Sequence, residues 1–172
     1  MELSFSGGYQ QFWKAIIRPP RDDYEFSHLG SKYISVHGTK VVRNDYSILN
    51  SRGLKIECSH FDIEPECRPT EAMPCVVFLH GNASSRLEGI FYLEYLIPIG
   101  CTLFVFDFCG CGKSKGDYIS LGWHERDDVD AVVEFLRHRK DITRIGLWGR
   151  SMGAATSTMY TSGDRTGKIS AV

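Results

Sequence analysis

The stretch LWGRSMGAATS, Leu147–Ser157, decides the fold. An apolar run ends at Trp148, and Ser151 then stands between Gly149 and Gly153, two residues from each. Small residues follow. The pattern predicts a strand that turns at once into a helix, with Ser151 at the bend. So sharp a bend strains the backbone of its apex residue. Side chains two positions to either side would collide across it, and glycine removes those collisions. The helix starts immediately, so its first unpaired N–H groups converge beside the serine. The amide of Met152 is then placed to donate to an oxyanion.

A bare Gly-x-Ser-x-Gly also arises by chance, so its surroundings matter. It falls in the third strand–helix unit of an alternating chain. VVFLHGNASS, Val76–Ser85, ends an earlier buried strand. His80-Gly81 lets the backbone turn close to the same place, and the amide of Asn82 or Ala83 can complete an oxyanion hole with that of Met152. His80 itself reads as a loop-shaping residue that hydrogen-bonds locally. FDFCGCGKSKG, Phe106–Gly116, follows the next strand. Its GCGKS invites a phosphate-loop reading, but that motif needs a first glycine at 107, where Asp107 stands. Asp107 reads instead as an anchor that accepts backbone hydrogen bonds from its glycine-rich loop.

Outward from these pieces, the chain alternates. YSILN and LKIECSHF read as two strands joined by a turn at Ser51-Arg52-Gly53. CVVFLH and CTLFVFDF read as strands buried on both faces, and TRIGLWG as another. SSRLEGIFYLEYLIPIG reads as one helix closing near Pro98 and Gly100. LGWHERDDVDAVVEFLRHRKD is a helix with Val129, Val132, Val133 and Leu136 on one face. Acids crowd its start and cations its end, as the macrodipole favours. SMGAATSTMYTSG is a helix that Gly163 could close, and KISAV reads as a further strand. This order predicts an α/β fold: a mostly parallel sheet with helices on both faces and an antiparallel N-terminal edge. Residues 1–40 read as an N-terminal arm and 41–172 as a partial core. In the arm, Phe12, Trp13, Ile16 and Ile17 share one helical face before Pro19 and Pro20. That segment is expected to pack on the domain, with a weak membrane or protein contact as the alternative.

The bulk properties narrow the function. With 172 residues and a formal net charge of -1, nothing points to nucleic acid as a partner. No apolar run approaches the roughly 20 residues of a spanning helix. Six dispersed cysteines behind no secretory signal read as reduced thiols in a cytoplasmic protein. The Cys109–Cys111 pair lacks further ligands at metal-binding spacing, so no metal or cofactor is expected.

Together, IRPPRDDY, NSRGLKIECSHF, PCVVFLHGNASSR, FDFCGCGKSKGDYISLGWHERDD and IGLWGRSMGAATSTMY resemble the α/β-hydrolase superfamily, over about Ile17 to the end. They look most like its plant and protist serine-aminopeptidase-like branch, and more distantly like acyl-protein thioesterases and monoacylglycerol lipases. The resemblance implies Ser151 as nucleophile and the Asn82 and Met152 amides as oxyanion hole. It also implies hydrolysis of an ester, thioester or amide through an acyl-enzyme, on a small-molecule, acyl or peptidyl substrate.

The chain departs from that pattern at one point. The superfamily's triad runs Ser, then Asp or Glu, then His. His28, His37, His60, His80, His124 and His138 all precede Ser151, and Asp164 is the one acid after it. The general base is therefore not expected within this sequence. KISAV stops where a further core strand would be under way. The chain reads as the N-terminal part of a hydrolase, inactive alone; the alternative is a non-catalytic interaction module on a degenerate hydrolase scaffold.

Overall fold

A computed structural model describes residues 5–18, 20–163 and 166–172. Pro19 and Asp164 lie outside the described residues. Six strands form one mixed sheet in the order β1-β2-β3-β5-β4-β6. The strands β1 (Tyr33–Val36), β2 (Thr39–Leu49) and β3 (Lys55–Ile63) make an antiparallel meander, and β3 pairs antiparallel with β5 (Thr102–Phe106). β5, β4 (Met73–Leu79) and β6 (Ile142–Gly149) are parallel.

The central strands read as unbroken apolar runs because both faces are covered. In β5, Phe104 and Phe106 join the core beneath α4 (Glu125–Arg137) and α5 (Met152–Thr161). Their neighbours Leu103 and Val105 point the other way, to a second core with Leu93, Leu96 and Ile97. On α4, Val129, Val132, Val133 and Leu136 are all fully buried, as their spacing predicted.

Three expectations are revised. The stretch 84–100 is not one helix. It breaks into α2 (Leu87–Ile90) and α3 (Leu93–Leu96), and Ile97–Ile99 continues as a 3-10 turn. Gly89 lies so close to the sheet that a Cβ would stand 2.5 Å from Val105 Cγ1. Held that close to the sheet, the segment winds partly through i→i+3 bonds, such as Tyr92 N–H to Gly89 O at 3.0 Å, and Pro98 has no N–H with which to extend a helix. KISAV is not a full strand either. Thr166–Lys168 is a 3-10 turn, and Ala171 alone bridges to Gly146. Thirdly, part of residues 1–40 is integral to the fold. Beyond α1 (Phe5–Ile17), β1 supplies the sheet edge, and Tyr24 and Leu29 are buried. The pattern concealed β1 because it buries a single side chain, Val36.

Candidate active site

The register of β4 against β6 places Leu79 opposite Gly149 at the carboxyl ends of both strands. The chain leaving β4 through His80, Gly81 and Asn82 therefore runs beside the chain leaving β6 through Arg150, Ser151 and Met152. The amide of Arg150 donates to Leu79 O at 3.1 Å and ties the two exits together. β6 ends at Gly149 and α5 begins at Met152. Ser151 between them adopts φ 52° and ψ −114°, a conformation that costs a non-glycine residue about 1–3 kcal/mol.

Both flanking glycines are forced by backbone. A Cβ on Gly149 would overlap the Gly153 carbonyl and the Ala154 amide, and one on Gly153 would lie 2.5 Å from the Leu79 carbonyl carbon. The Ser151 side chain is exposed. Among the described residues, neither its hydroxyl nor the Met152 amide has a hydrogen-bond partner. Asn82 and Ala83 form an exposed turn, with Ala83 left-handed at φ 53°, and their amides likewise lack a partner among those residues.

His80 is fully buried, and its hydrogen bonds fix its tautomer. The Phe108 amide donates to Nε2 at 3.0 Å, so Nδ1 carries the proton and donates to Gly81 O at 2.7 Å. Burial lowers its pKa, which favours this neutral form. Both ring nitrogens are thus committed to loop geometry. Gly81 gives its amide to Glu88 Oε2 at 3.1 Å, and Glu88 also pairs with Arg150. Burial acts to raise the Glu88 pKa, but Arg150 and the Gly81 amide outweigh it, and the net shift is downward.

Asp107 at the end of β5 is fully buried. It accepts from the Arg86 amide at 2.7 Å, the Lys113 amide at 3.0 Å and the Tyr24 hydroxyl at 2.7 Å. Arg86 Nε reaches the same Tyr24 oxygen at 2.6 Å. Asp107 therefore anchors its own glycine-rich loop and also the loop after β4. Sequence reasoning missed Tyr24, Arg86 and Glu88. No local motif marks them; each acquires its part through contacts made by the folded chain.

Of the remaining histidines, His60 is buried in the sheet against Thr102, and His138 bonds to its own helix at Glu134 O. Among the described residues no group of three His, Cys, Asp or Glu is arranged to hold a metal, and all six cysteines are unpaired. A cavity of about 500 Å³ lies along the free side of β6, lined by Val76, Leu147, Trp148, Ala154, Ser157 and Ala171. It does not include Ser151.

The sequence model for the alpha/beta hydrolase fold matches residues 74–172, more than half of the chain. The chain belongs to the alpha/beta hydrolase family. The relatives it matches include YqkD of Bacillus subtilis, 29% identical over 93 residues, covering 54% of this chain and 30% of that protein. Another is the alpha/beta hydrolase domain-containing protein WAV2 of Arabidopsis thaliana, 27% identical over 135 residues, covering 77% of this chain and 42% of that one. Among solved structures, the Pyrococcus furiosus esterase Pf2001 superposes with a TM-score of 0.66 at 27% identity, over 88% of this chain and 55% of that one. The alpha/beta hydrolase chain thus spans about a third to a half of the length of these proteins. The family's mixed sheet and its helices on both faces are the architecture described above. No helix among the described residues is long and apolar enough to cross a membrane.

Proposed function

We propose that Ser151 is the nucleophile of a serine hydrolase acting on an ester, thioester or amide. One observation carries this reading: an exposed serine held at φ 52° where a parallel strand becomes a helix. Strain of this kind persists only where packing enforces it, and it lifts the hydroxyl clear of the backbone. The hydroxyl oxygen attacks the acyl carbon and the leaving group departs, forming an acyl-enzyme that water then hydrolyses. The free amides of Met152 and Asn82 stabilise the tetrahedral oxyanion. His80, Gly81, Gly149, Gly153 and Asp107 are positioning residues that hold the two loops together. The similarity to an esterase supports the reaction class.

The general base is assigned to a histidine outside this stretch, because the ring nitrogens of His80 are occupied and no other histidine bonds to Ser151 among the described residues. The motifs quoted above further support membership of the serine-aminopeptidase-like branch, and the unpaired thiols a cytoplasmic location. The competing reading, an interaction module without catalysis, draws on the hydroxyl's lack of a base. A fluorophosphonate probe separates the two. On a chain extended to include the acid and histidine, a phosphonyl adduct on Ser151 that Ser151→Ala abolishes is expected. The 172-residue stretch should label about 10⁴-fold more slowly. Absence of an adduct on the extended chain, or one elsewhere that persists in Ser151→Ala, overturns the proposal.

A further inference from the structure

A second strained element lies between β5 and α4, where Gly122 sits against Met159 and Thr156 of α5. Leu121 and Gly122 are both left-handed, at φ 53° and 120°. A branched apolar side chain is among the poorest residues for that conformation. The geometry is nevertheless clamped from below. Glu125, only 2% exposed, accepts from the Ser120 amide at 2.8 Å, the Ser120 hydroxyl at 2.6 Å and the Gly122 amide at 2.7 Å. The clamp lifts apolar side chains outward: Leu121 is 44% exposed and Trp123 62%. Neither the strain nor the exposure of Leu121 is repaid by burial within the chain.

This tip adjoins the N-terminal helix. The Ile119 amide donates to Ile17 O at 2.7 Å, so the end of α1 abuts the start of the loop. α1 exposes Phe12, at 68%, and Ile16, and the loop adds Tyr118. Cations flank these side chains. Arg126 lies over the Trp123 ring at 4.3 Å, Arg18 over Tyr118 at 5.9 Å, and Lys14 beside Trp13. The nearby acids are engaged: Asp117 by Arg18, Asp127 by Arg52, and Glu125 beneath the tip.

We propose that the Leu121–Trp123 tip and the exposed face of α1 form one docking surface for an anionic lipid bilayer. Tryptophan, tyrosine and aliphatic side chains ringed by lysine and arginine match the boundary between acyl chains and headgroups. With Arg18 paired to Asp117, Lys14 and Arg126 are the rim cations that meet anionic headgroups, whereas a second copy of the chain would set these like charges face to face.

Co-sedimentation with phosphatidylcholine vesicles, with and without phosphatidylserine, tests this. Binding is expected on the mixed vesicles, weakening with salt, with a blue shift of tryptophan emission that Trp123→Phe reduces while keeping the binding. Leu121→Asn suits the left-handed conformation, so the fold should be as stable or more so, while partitioning falls about tenfold. Arg126→Gln should narrow the preference for phosphatidylserine. No binding to mixed vesicles, or equal binding by wild type and Leu121→Asn, overturns the proposal. So does a dimer in light scattering, without vesicles, that Leu121→Asn abolishes.

Discussion

Gly153, in the first turn of α5, packs directly on the carbonyl of Leu79 at the end of β4. The obstruction is main chain on both sides, so no side chain can move to relieve it. Alanine is better in a helix than glycine by about 1 kcal/mol, but overlap with a strand carbonyl costs more, about 3 kcal/mol. Gly153→Ala should therefore lower unfolding free energy by a net ~2 kcal/mol or more, measured by urea denaturation. Gly149→Ala meets the Gly153 carbonyl and should behave alike. A neutral or stabilised Gly153→Ala variant would show that the elbow and β4 are not in contact.

Tyr24 ties the N-terminal segment to both loops of the candidate site. Its hydroxyl donates to Asp107 Oδ2 at 2.7 Å and accepts from Arg86 Nε. Phenylalanine would fit the same space but leave two buried polar partners short of a bond. Tyr24→Phe is expected to cost about 1–3 kcal/mol. Asp107→Asn should cost at least as much, because an amide cannot accept from Tyr24, Lys113 and Arg86 together. Hydrogen exchange at the Arg86 amide, which donates to Asp107, and at the Gly81 amide beside it should rise in both variants. Unchanged exchange there would mean that Asp107 does not hold the loop after β4.

His60 gives stability a dependence on pH. It is buried, with Nε2 3.0 Å from Thr102 Oγ1 and no partner on Nδ1. Asp62 and Cys75 face it at 4.0 and 3.9 Å, and the charges of Arg139, Asp141 and Arg68 also act on it. Burial first, then Arg139, pushes its pKa down to about 3. The unfolded chain takes up this proton below about pH 6.5, whereas the folded chain does not until about pH 3. The contribution is thus full above pH 6.5 and is lost as pH falls, by at most about 1.4 kcal/mol per pH unit. His80, also lowered by burial, acts in the same sense. Asp62 and Asp128, raised by burial, act in the opposite one. The urea midpoint of wild type should fall more between pH 7 and pH 5 than that of His60→Gln. Equal slopes would refute the assignment.

The sequence by itself determined the alternating strand–helix order, the buried central strands and the bend at Ser151. These follow from local chemistry. A short run apolar on every residue, bounded by turn residues, fits a strand covered on two faces, and glycine spaced two residues either side of a serine fits a strand-to-helix bend with no room for a Cβ. Only the tertiary structure decided what surrounds that bend. The partners of Asp107 come from Tyr24 and Arg86, and the partner of Glu88 from Arg150, residues 62 or more positions away in two of these three pairs. The break within 84–100 depends on how closely Gly89 meets Val105 and Phe78. The left-handed Leu121 runs against its own preference and is held by Glu125 below it. The division has a physical cause: backbone sterics and period are written residue by residue, whereas buried polar bonds and strain balance only when distant segments meet.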